Sequence, residues 1–280
     1  MRRSWSWLLA AACFTVLAPP SVAAQQAAPA AGQSADLAKK LSNPISDLVS
    51  VPLQFNWQQH VGPLELTQFI LNFQPVMPFE LNKNWNLIAR VIMPFIGQPP
   101  FIVNGIGENG IGDIDASFFF SPRSTSGFTW GVGPIFALPA SYQPTIGSGH
   151  WSIGPTGVAL QQTGKWTIGA LVNQVWSVAG DDRREDVNQM FFQPFLAYQA
   201  TKTLTLTIQS ESTADWEADT DTWTIPINFE VAKLSTFGHF PASYQFGVGR
   251  FVAHPDSPEN GPTWKIRAAI IILLPIEHRP

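Results

Sequence analysis

Charge is scarce in this chain of 280 residues: Asp, Glu, Lys and Arg make up 13% of it, while 45% is hydrophobic. An ordinary soluble domain carries about 25% charge, so these apolar residues need a setting other than a water-facing surface. Cysteine is nearly absent as well. The single one, Cys13, lies in the apolar run Leu8 to Leu17, behind Arg2 and Arg3 and ahead of Ser21-Val22-Ala23-Ala24. That is the layout of a secretory signal peptide over residues 1–24, cut after Ala23 or Ala24. Its removal leaves a mature chain without thiols, which excludes disulfides and thiolate chemistry. Leu9-Ala10-Ala11-Ala12-Cys13 also approaches a lipoprotein signal, but leucine stands one place too far from the cysteine and the apolar run continues past it. Long hydrophobic runs are missing too. Beyond the signal the longest, Ala268 to Ile276, has nine residues, and a spanning helix needs roughly 18 to 20. Basic residues are few: without Arg2 and Arg3, fourteen face twenty acids, a balance that argues against nucleic acid as a partner.

What the sequence does have is alternation. In Val49 to Gln58 the apolar Val49, Val51, Leu53, Phe55 and Trp57 interleave with Ser50, Pro52, Gln54, Asn56 and Gln58, and Thr203 to Gln209 and Thr222 to Val231 repeat the pattern. Period two is a strand with one oily and one wet face. It recurs along the chain, with strand candidates at about 48–60, 64–78, 85–97, 111–121, 128–139, 151–162, 166–177, 188–198, 203–211, 222–232, 242–252 and 264–275. Tight connections at Leu81-Asn82-Lys83-Asn84, Gln162-Thr163-Gly164-Lys165 and Gln199-Ala200-Thr201-Lys202 alternate with longer ones at 98–110, 140–150, 178–187, 212–221 and 253–263. The expected fold is all-β: a transmembrane antiparallel up-and-down β-barrel of about twelve strands over residues 48–276, with short periplasmic turns and longer outer loops. An even strand count places both barrel termini on the periplasmic side. In this register Val51, Leu206 and Ile227 face lipid, while Gln54, Thr205 and Asn228 face inward, where an arginine is expected to be better tolerated at position 228 than at 227.

Tryptophan supplies an independent check, because a membrane barrel collects it in two interfacial belts. Trp85, Trp130 and Trp166 fall at the periplasmic ends of strands, and Trp57, Trp151, Trp176, Trp223 and Trp264 at or near the outer ends; Trp216 lies in a loop. The outer loops are acidic. Glu108, Asp181, Asp182, Glu185, Asp186, Asp215, Glu217, Asp219, Asp221, Asp256 and Glu259, with Glu211 at a loop edge, are opposed there only by Arg183 and Arg184. Such a ring raises local cation concentration; equally it is a solvated loop set bridged by divalent ions to lipopolysaccharide. On the inward face, Arg90 stands near mid-height with Asp115 at a similar level and Asp113 above it, Lys265 and Arg267 near the top of the last strand, and Glu230 low on the tenth. These charges form either a structural salt-bridge network or, for Arg90 with Asp113 and Asp115, the lining of a constriction that a solute must pass.

Residues 25–47 differ from the rest. An alanine, glutamine and proline run leads into Ser34 to Leu41, where Ser34 is expected to cap a short helix with Leu37 and Leu41 on one face and Asn43-Pro44 as its end. This segment is either a periplasmic leader or a plug within the lumen. His60, His150 and His254 near the outer rim are what a barrel hydrolase would use, but no G-x-S-x-G elbow, zinc-ligand spacing or cofactor motif accompanies them. Gly105-Ile106-Gly107-Glu108-Asn109-Gly110 has the letters of a dinucleotide fingerprint without the buried parallel strand and helix that give it meaning.

Leu41-Ser42-Asn43-Pro44, Ser50-Val51-Pro52-Leu53-Gln54, Gln74-Pro75-Val76-Met77-Pro78, Gly112-Asp113-Ile114, Phe118-Phe119-Phe120-Ser121-Pro122, Gly131-Val132-Gly133-Pro134, Gly180-Asp181-Asp182 and Trp223-Thr224-Ile225-Pro226-Ile227-Asn228 are together fairly specific. Through them, from about Leu37 to Pro275, the chain resembles a family of Gram-negative outer-membrane barrels classed as transporters, related to the proteins called "meta-pathway of phenol degradation" and sometimes mislabelled neuromedin U. The resemblance implies an outer-membrane location, lipid and lipopolysaccharide as surroundings, and passage of small molecules, aromatic ones among them; it brings no catalytic residues. Many such barrels end on an aromatic residue read by the outer-membrane assembly machinery, whereas this chain ends Glu277-His278-Arg279-Pro280.

Overall fold

The computed structural model describes residues 31–100, 105–123, 127–141, 143–220, 222–255 and 261–274, with side chains from 34 onward. The expected signal peptide, residues 25–30, Asp221, Asp256, Glu259 and the C-terminal 275–280 lie outside the described residues.

Alternation produces strands throughout. In chain order they are β1 (Val49–Val61), β2 (Leu66–Phe73), β3 (Val76–Glu80), β4 (Trp85–Gln98), β5 (Glu108–Ile111), β6 (Ile114–Pro122), β7 (Phe128–Leu138), β8 (His150–Thr163), β9 (Trp166–Gly180), β10 (Asn188–Gln199), β11 (Leu204–Gln209), β12 (Ser212–Asp215), β13 (Trp223–Phe237), β14 (Phe240–Ala253) and β15 (Trp264–Leu274). Pairs β2/β3, β5/β6 and β11/β12 are each one span with an interruption, so the fifteen strands make twelve antiparallel spans. The sheet closes: β1 pairs with β15 and β9 with β10.

Each interruption lies against a proline of the neighbouring span. Gln74 donates its backbone N–H to Pro52 O, Gly112 to Pro94 O and Ser210 to Pro194 O, at 2.8–3.1 Å. Proline accepts but has no N–H to return, so one rung is lost. Register is kept across two of the interruptions, since Leu53↔Phe73 continues into Ser50↔Val76 and Phe195↔Gln209 into Phe191↔Thr213. At the third it shifts by one residue, Phe95↔Ile111 giving way to Ile92↔Asp115, so β5/β6 carries one extra residue opposite β4. Two neighbouring spans are longer than the sequence pattern indicates: β13 and β14 continue to a tight turn at Gly238, whose positive φ of 58° suits glycine.

The alternation sets two faces. Ile168, Val172, Ile227, Phe229, Phe246 and Val248 are exposed on the outside, whereas Thr167, Leu171, Asn228 and Glu230, between them in sequence, are buried. The outward face is therefore a continuous apolar surface and the inward face carries most of the polarity. At the end where the tight turns lie, Trp85 packs edge-on against Trp130 at 5.9 Å and Trp166 against Tyr198 at 4.6 Å. At the opposite, long-loop end, Trp57 lies 5.7 Å from Phe69, Trp216 meets Trp223 edge-on at 5.8 Å, and Trp264 stacks under Arg250 at 4.8 Å, with Trp151 and Trp176 exposed.

The helix α1 (Ala31–Leu41) precedes the barrel. It starts earlier than expected, so Ser34 lies inside it and does not cap it: Ala31, the best helix former, already belongs to its first turn. Lys39 and Lys40 complement the helix dipole at its last turn, and Asn43 Oδ1 accepts from Ile45 N–H at 3.0 Å as the chain turns away. Gln199 on β10 donates to Ala35 O at 2.8 Å and Gln162 on β8 to Lys39 O at 2.9 Å. Ile45 is buried in a cluster with Val76, Ile88, Phe119, Val158 and Leu171, all inward residues of the wall formed by β3, β4, β6, β8 and β9. Residues 31–47 thus dock inside the turn end of the barrel. Gly131 on β7 is part of the fit, because a Cβ there would stand 3.1 Å from Ile45 Cδ1 and 3.2 Å from Phe119 Cβ.

Candidate functional site: a lumen of two chambers

Two chambers follow one another inside the barrel. At the loop end a cavity of about 760 Å³ is bounded by Asp113, Asp115, Ile135, Leu171, Val175 and Phe191 on the walls and by Arg184 and Asp186 at the rim. Toward the turn end a smaller one of about 180 Å³ is closed below by Leu41, Ser42 and Pro44 and lined by Gln54, Gln74, Gln209 and Glu230. Arg90 borders both. The two walls differ chemically: the β3–β9 side is apolar beside Ile45, and the side formed by β1, β10–β13 and β15 is polar.

The polar wall carries a charged network. Arg267 on β15 donates through Nη1 to Glu211 at 2.9 Å and to Glu230 at 2.8 Å, through Nη2 to Glu211 at 2.6 Å, and through Nε to Asn56 Oδ1 at 2.7 Å. Lys265 Nζ adds a bond to Glu211 at 2.9 Å. Two acids and two bases neutralise each other, and the Arg267 guanidinium spends most of its donors, which is the condition for tolerating charges away from water. Gly247 on β14 makes the encounter sterically feasible. It sits in one hydrogen-bond row between Glu230 and Arg267, and a Cβ there would stand 2.7 Å from Glu230 Cγ.

Amides extend the network around the lumen. Gln193 donates to Gln209 at 2.6 Å and Gln209 to Glu230 at 2.9 Å. On the other flank Asn56, Asn72 and Gln74 all donate to Gln54 Oε1 at 3.2–3.4 Å, and Arg90 donates to Gln74 Oε1 at 3.2 Å. A belt of hydrogen bonds consequently runs from β10 through β11, β13, β15 and β1 to β4. From sequence only Gln54 of these amides was placed inward and the network was missed, although its signal was present: glutamine or asparagine repeated at inward positions of successive strands.

Two expectations need correction here. Glu211 belongs not to the acidic mouth but to this internal network, because β11 and β12 continue across it in register and turn its side chain inward. Glu230 and Arg267 do not lie at opposite heights. Barrel strands are tilted and staggered, so position along a strand does not give height in the barrel. Asn228 does face inward, but it is fully buried against Gly249, where a Cβ would meet its Oδ1 at 2.2 Å. That packing predicts a cost for the larger arginine side chain at 228 as well.

Arg90 and the aspartates are arranged differently. The cross-strand partner of Arg90 is Ser117, and Asp115 lies opposite Ile92, one pleat nearer the loop end. Neither Arg90 nor Asp115 belongs to an ion pair within 4.0 Å among the described residues. Asp113 is committed to the loop 139–149, accepting the Ser148 N–H at 2.8 Å, with Gly147 packed over its other oxygen. Arg184 holds the same loop, donating to Gly147 O at 2.7 Å.

At the rim, Glu108, Asp181, Asp182, Glu185, Asp186, Asp215, Glu217 and Asp219 remain of the expected acidic set, with Asp215 reaching the large cavity. Asp181 is held by Arg183 at 2.8 Å, and the hydrogen bonds from that residue push its carboxyl down to about 2. Of the histidines, Nδ1 of His60 faces the Thr263 hydroxyl at 2.6 Å, that of His150 the Ser148 carbonyl at 3.1 Å and that of His254 the Pro255 carbonyl at 3.0 Å. The glycine-rich 105–110 segment ends in β5, an antiparallel strand, and has no helix after it. No group of three or more metal-ligating side chains occurs among the described residues.

A closed twelve-span antiparallel barrel with an apolar outside is the fold class of outer-membrane barrels. The comparisons agree. An outer-membrane channel from Pseudomonas putida F1 matches at 15% identity over 81% of this chain and 96% of its own, with a TM-score of 0.61. The NanC porin matches at 11% identity over 81% of this chain and 100% of its own, with a TM-score of 0.52. An outer membrane phospholipase A from Escherichia coli, at 12% identity over 86% and 98%, reaches only 0.45, too low to bear on activity. No family model matches the chain, and no curated protein does. What is shared is the fold.

Proposed function

We propose that the protein is an outer-membrane channel for passive passage of small molecules, with neutral or cationic solutes preferred. The observation that carries this reading is the polarity of the two faces. The outside is an apolar band edged by aromatic side chains, suited to lipid, while the inside holds two polar chambers in series that meet at Arg90. Outer-membrane placement, contact with lipopolysaccharide at the loop end, delivery by the assembly machinery and export by a cleaved signal peptide belong to the same proposal. So does membership of the transporter family, which rests on the sequence motifs. Planar-bilayer recording of the purified protein tests it. Discrete conductance steps are expected, and their absence under all voltages would sink the reading.

A closed barrel, structural or receptor-like, is favoured by one observation: residues 31–47 occupy the turn end of the lumen. Recording with and without those residues separates the readings. Conductance that appears only after deletion identifies a plugged pore, and silence in both forms identifies a closed barrel.

A further inference from the structure

The large cavity contains two opposite charges that lie within electrostatic reach of each other but share no hydrogen bond and no ion-pair contact among the described residues. Arg90 on β4 and Asp115 on β6 sit on adjacent spans, one residue pair apart diagonally, and both side chains border the cavity. Arg90 spends one donor on Gln74, which leaves most of its five N–H groups open. Asp115 accepts no hydrogen bond and enters no ion pair among the described residues. On the polar wall of the same lumen, by contrast, Arg267 and Lys265 are ion-paired with Glu211 and Glu230. Asp113, the other acid on this wall, is tied to Ser148. An unspent guanidinium and an unspent carboxylate, separated by about one pleat, present complementary contacts to a molecule with both charges a few bonds apart. The apolar side chains of Val175 and Phe191, on β9 and β10, border the same cavity. The cavity, at about 760 Å³, lies in the range of small-ligand sites, roughly 300–1,000 Å³.

We infer that the loop-end cavity binds a small zwitterion with an apolar body, its anionic group on Arg90, its cationic group on Asp115 and its body against Val175 and Phe191. The inference rests on the channel reading in taking that occupant as a solute in passage. A guanidinium fork gives a planar carboxylate two parallel hydrogen bonds, and an ammonium group fits an open carboxylate. A molecule with one charge leaves the other protein charge without a partner, which is costly in a confined site.

Three probes that share an isobutyl body test this: L-leucine, 3-methylbutylamine, which lacks its carboxylate, and 4-methylpentanoate, which lacks its amine. Titration calorimetry on the purified full-length protein in detergent is expected to show leucine binding at least about tenfold more tightly than either single-charge probe, a factor equivalent to about 1.4 kcal/mol. Arg90→Gln should remove the advantage of leucine over the amine, and Asp115→Asn its advantage over the acid. The wild-type ranking stands without the variants should either fail to fold. An amine or an acid that binds as well as leucine would overturn the zwitterion assignment, and no heat from any of the three would overturn the site. Failure of the channel reading is distinguishable, since a barrel that binds leucine yet never conducts retains the site and loses the transport role.

Discussion

Gly247 shows how much one missing side chain can decide: it opens the row in which Glu230 and Arg267 meet across β14. Removal of the central cation should expose the cost of the arrangement. Arg267→Met leaves Glu211 and Glu230 inside the barrel with Lys265 as their remaining ion-pair partner, and a loss of about 3–5 kcal/mol is expected. Combining it with Glu211→Gln and Glu230→Gln should recover part of that loss, because coupled partners give non-additive changes. Urea unfolding from lipid vesicles measures both. On the outer face, Ile227→Arg should cost about 2–4 kcal/mol near the bilayer midplane. Asn228→Arg, one residue along, should also be destabilising, since Gly249 closes over that side chain; equal stability of the 228 variant to wild type would refute the packing argument. In the rim loop, Asp181 keeps its charge down to about pH 2 while Arg183 donates to it. Arg183→Ala should return that carboxyl toward the ordinary aspartate value of about 3.9, an upward shift readable by carboxyl NMR titration.

At the scale of elements, the spans form because each alternation buries one face, and they survive their prolines because pairing resumes on both sides of every interruption, in the same register at two of them and shifted by one residue between β5 and β6. The docking of residues 31–47 is a different kind of contact. It depends on two side-chain bonds to the helix backbone, from Gln162 and Gln199, and on one apolar anchor, Ile45. Each bond contributes about 0.5–1.5 kcal/mol, so Gln162→Ala with Gln199→Ala should loosen α1 without unfolding the barrel. Faster amide hydrogen exchange confined to residues 31–47 is the expected signature, and unchanged exchange would show that Ile45 alone holds the segment. Gly131→Leu attacks the anchor from the wall side and should have the same effect.

For the molecule as a whole, the balance of charge at the loop end decides ion preference. Eight described carboxylates around the rim face two arginines. These groups are largely exposed, so their field acts over a screening length of about 8 Å at physiological ionic strength. Reversal potentials across a potassium chloride gradient should therefore be cation-directed and should shrink as total salt rises. A zero or anion-directed value would leave the rim acids as a solvated surface with no part in selection.

By itself the sequence determined the class of fold. Period-two alternation is local, because inward and outward positions follow from the pleat of each strand, and so the twelve spans, their faces and the tryptophan-rich ends were all legible from residues 48 to 275. The scarcity of charge and the absence of long apolar runs pointed the same way. Only the tertiary structure decided which inward residues meet. Glu230 and Arg267 are 37 residues apart and Arg267 and Asn56 are 211 apart; they are brought together by tilt, stagger and ring closure between β1 and β15, quantities that no single strand encodes. For the same reason Glu211 read as a loop acid while its position in the closed ring made it internal. Arg90 and Asp115 read as neighbours in the lumen, but whether they spend their charges on each other depends on a diagonal offset of one pleat, and that offset is fixed by the pairing of two spans and not by either alone. A short helix over residues 34–41 was legible from the shared face of Leu37 and Leu41 and from the Asn43-Pro44 stop; its earlier start and its place inside the barrel were not, because the docking depends on the gap left by Gly131 and on glutamines contributed by β8 and β10 more than a hundred residues away.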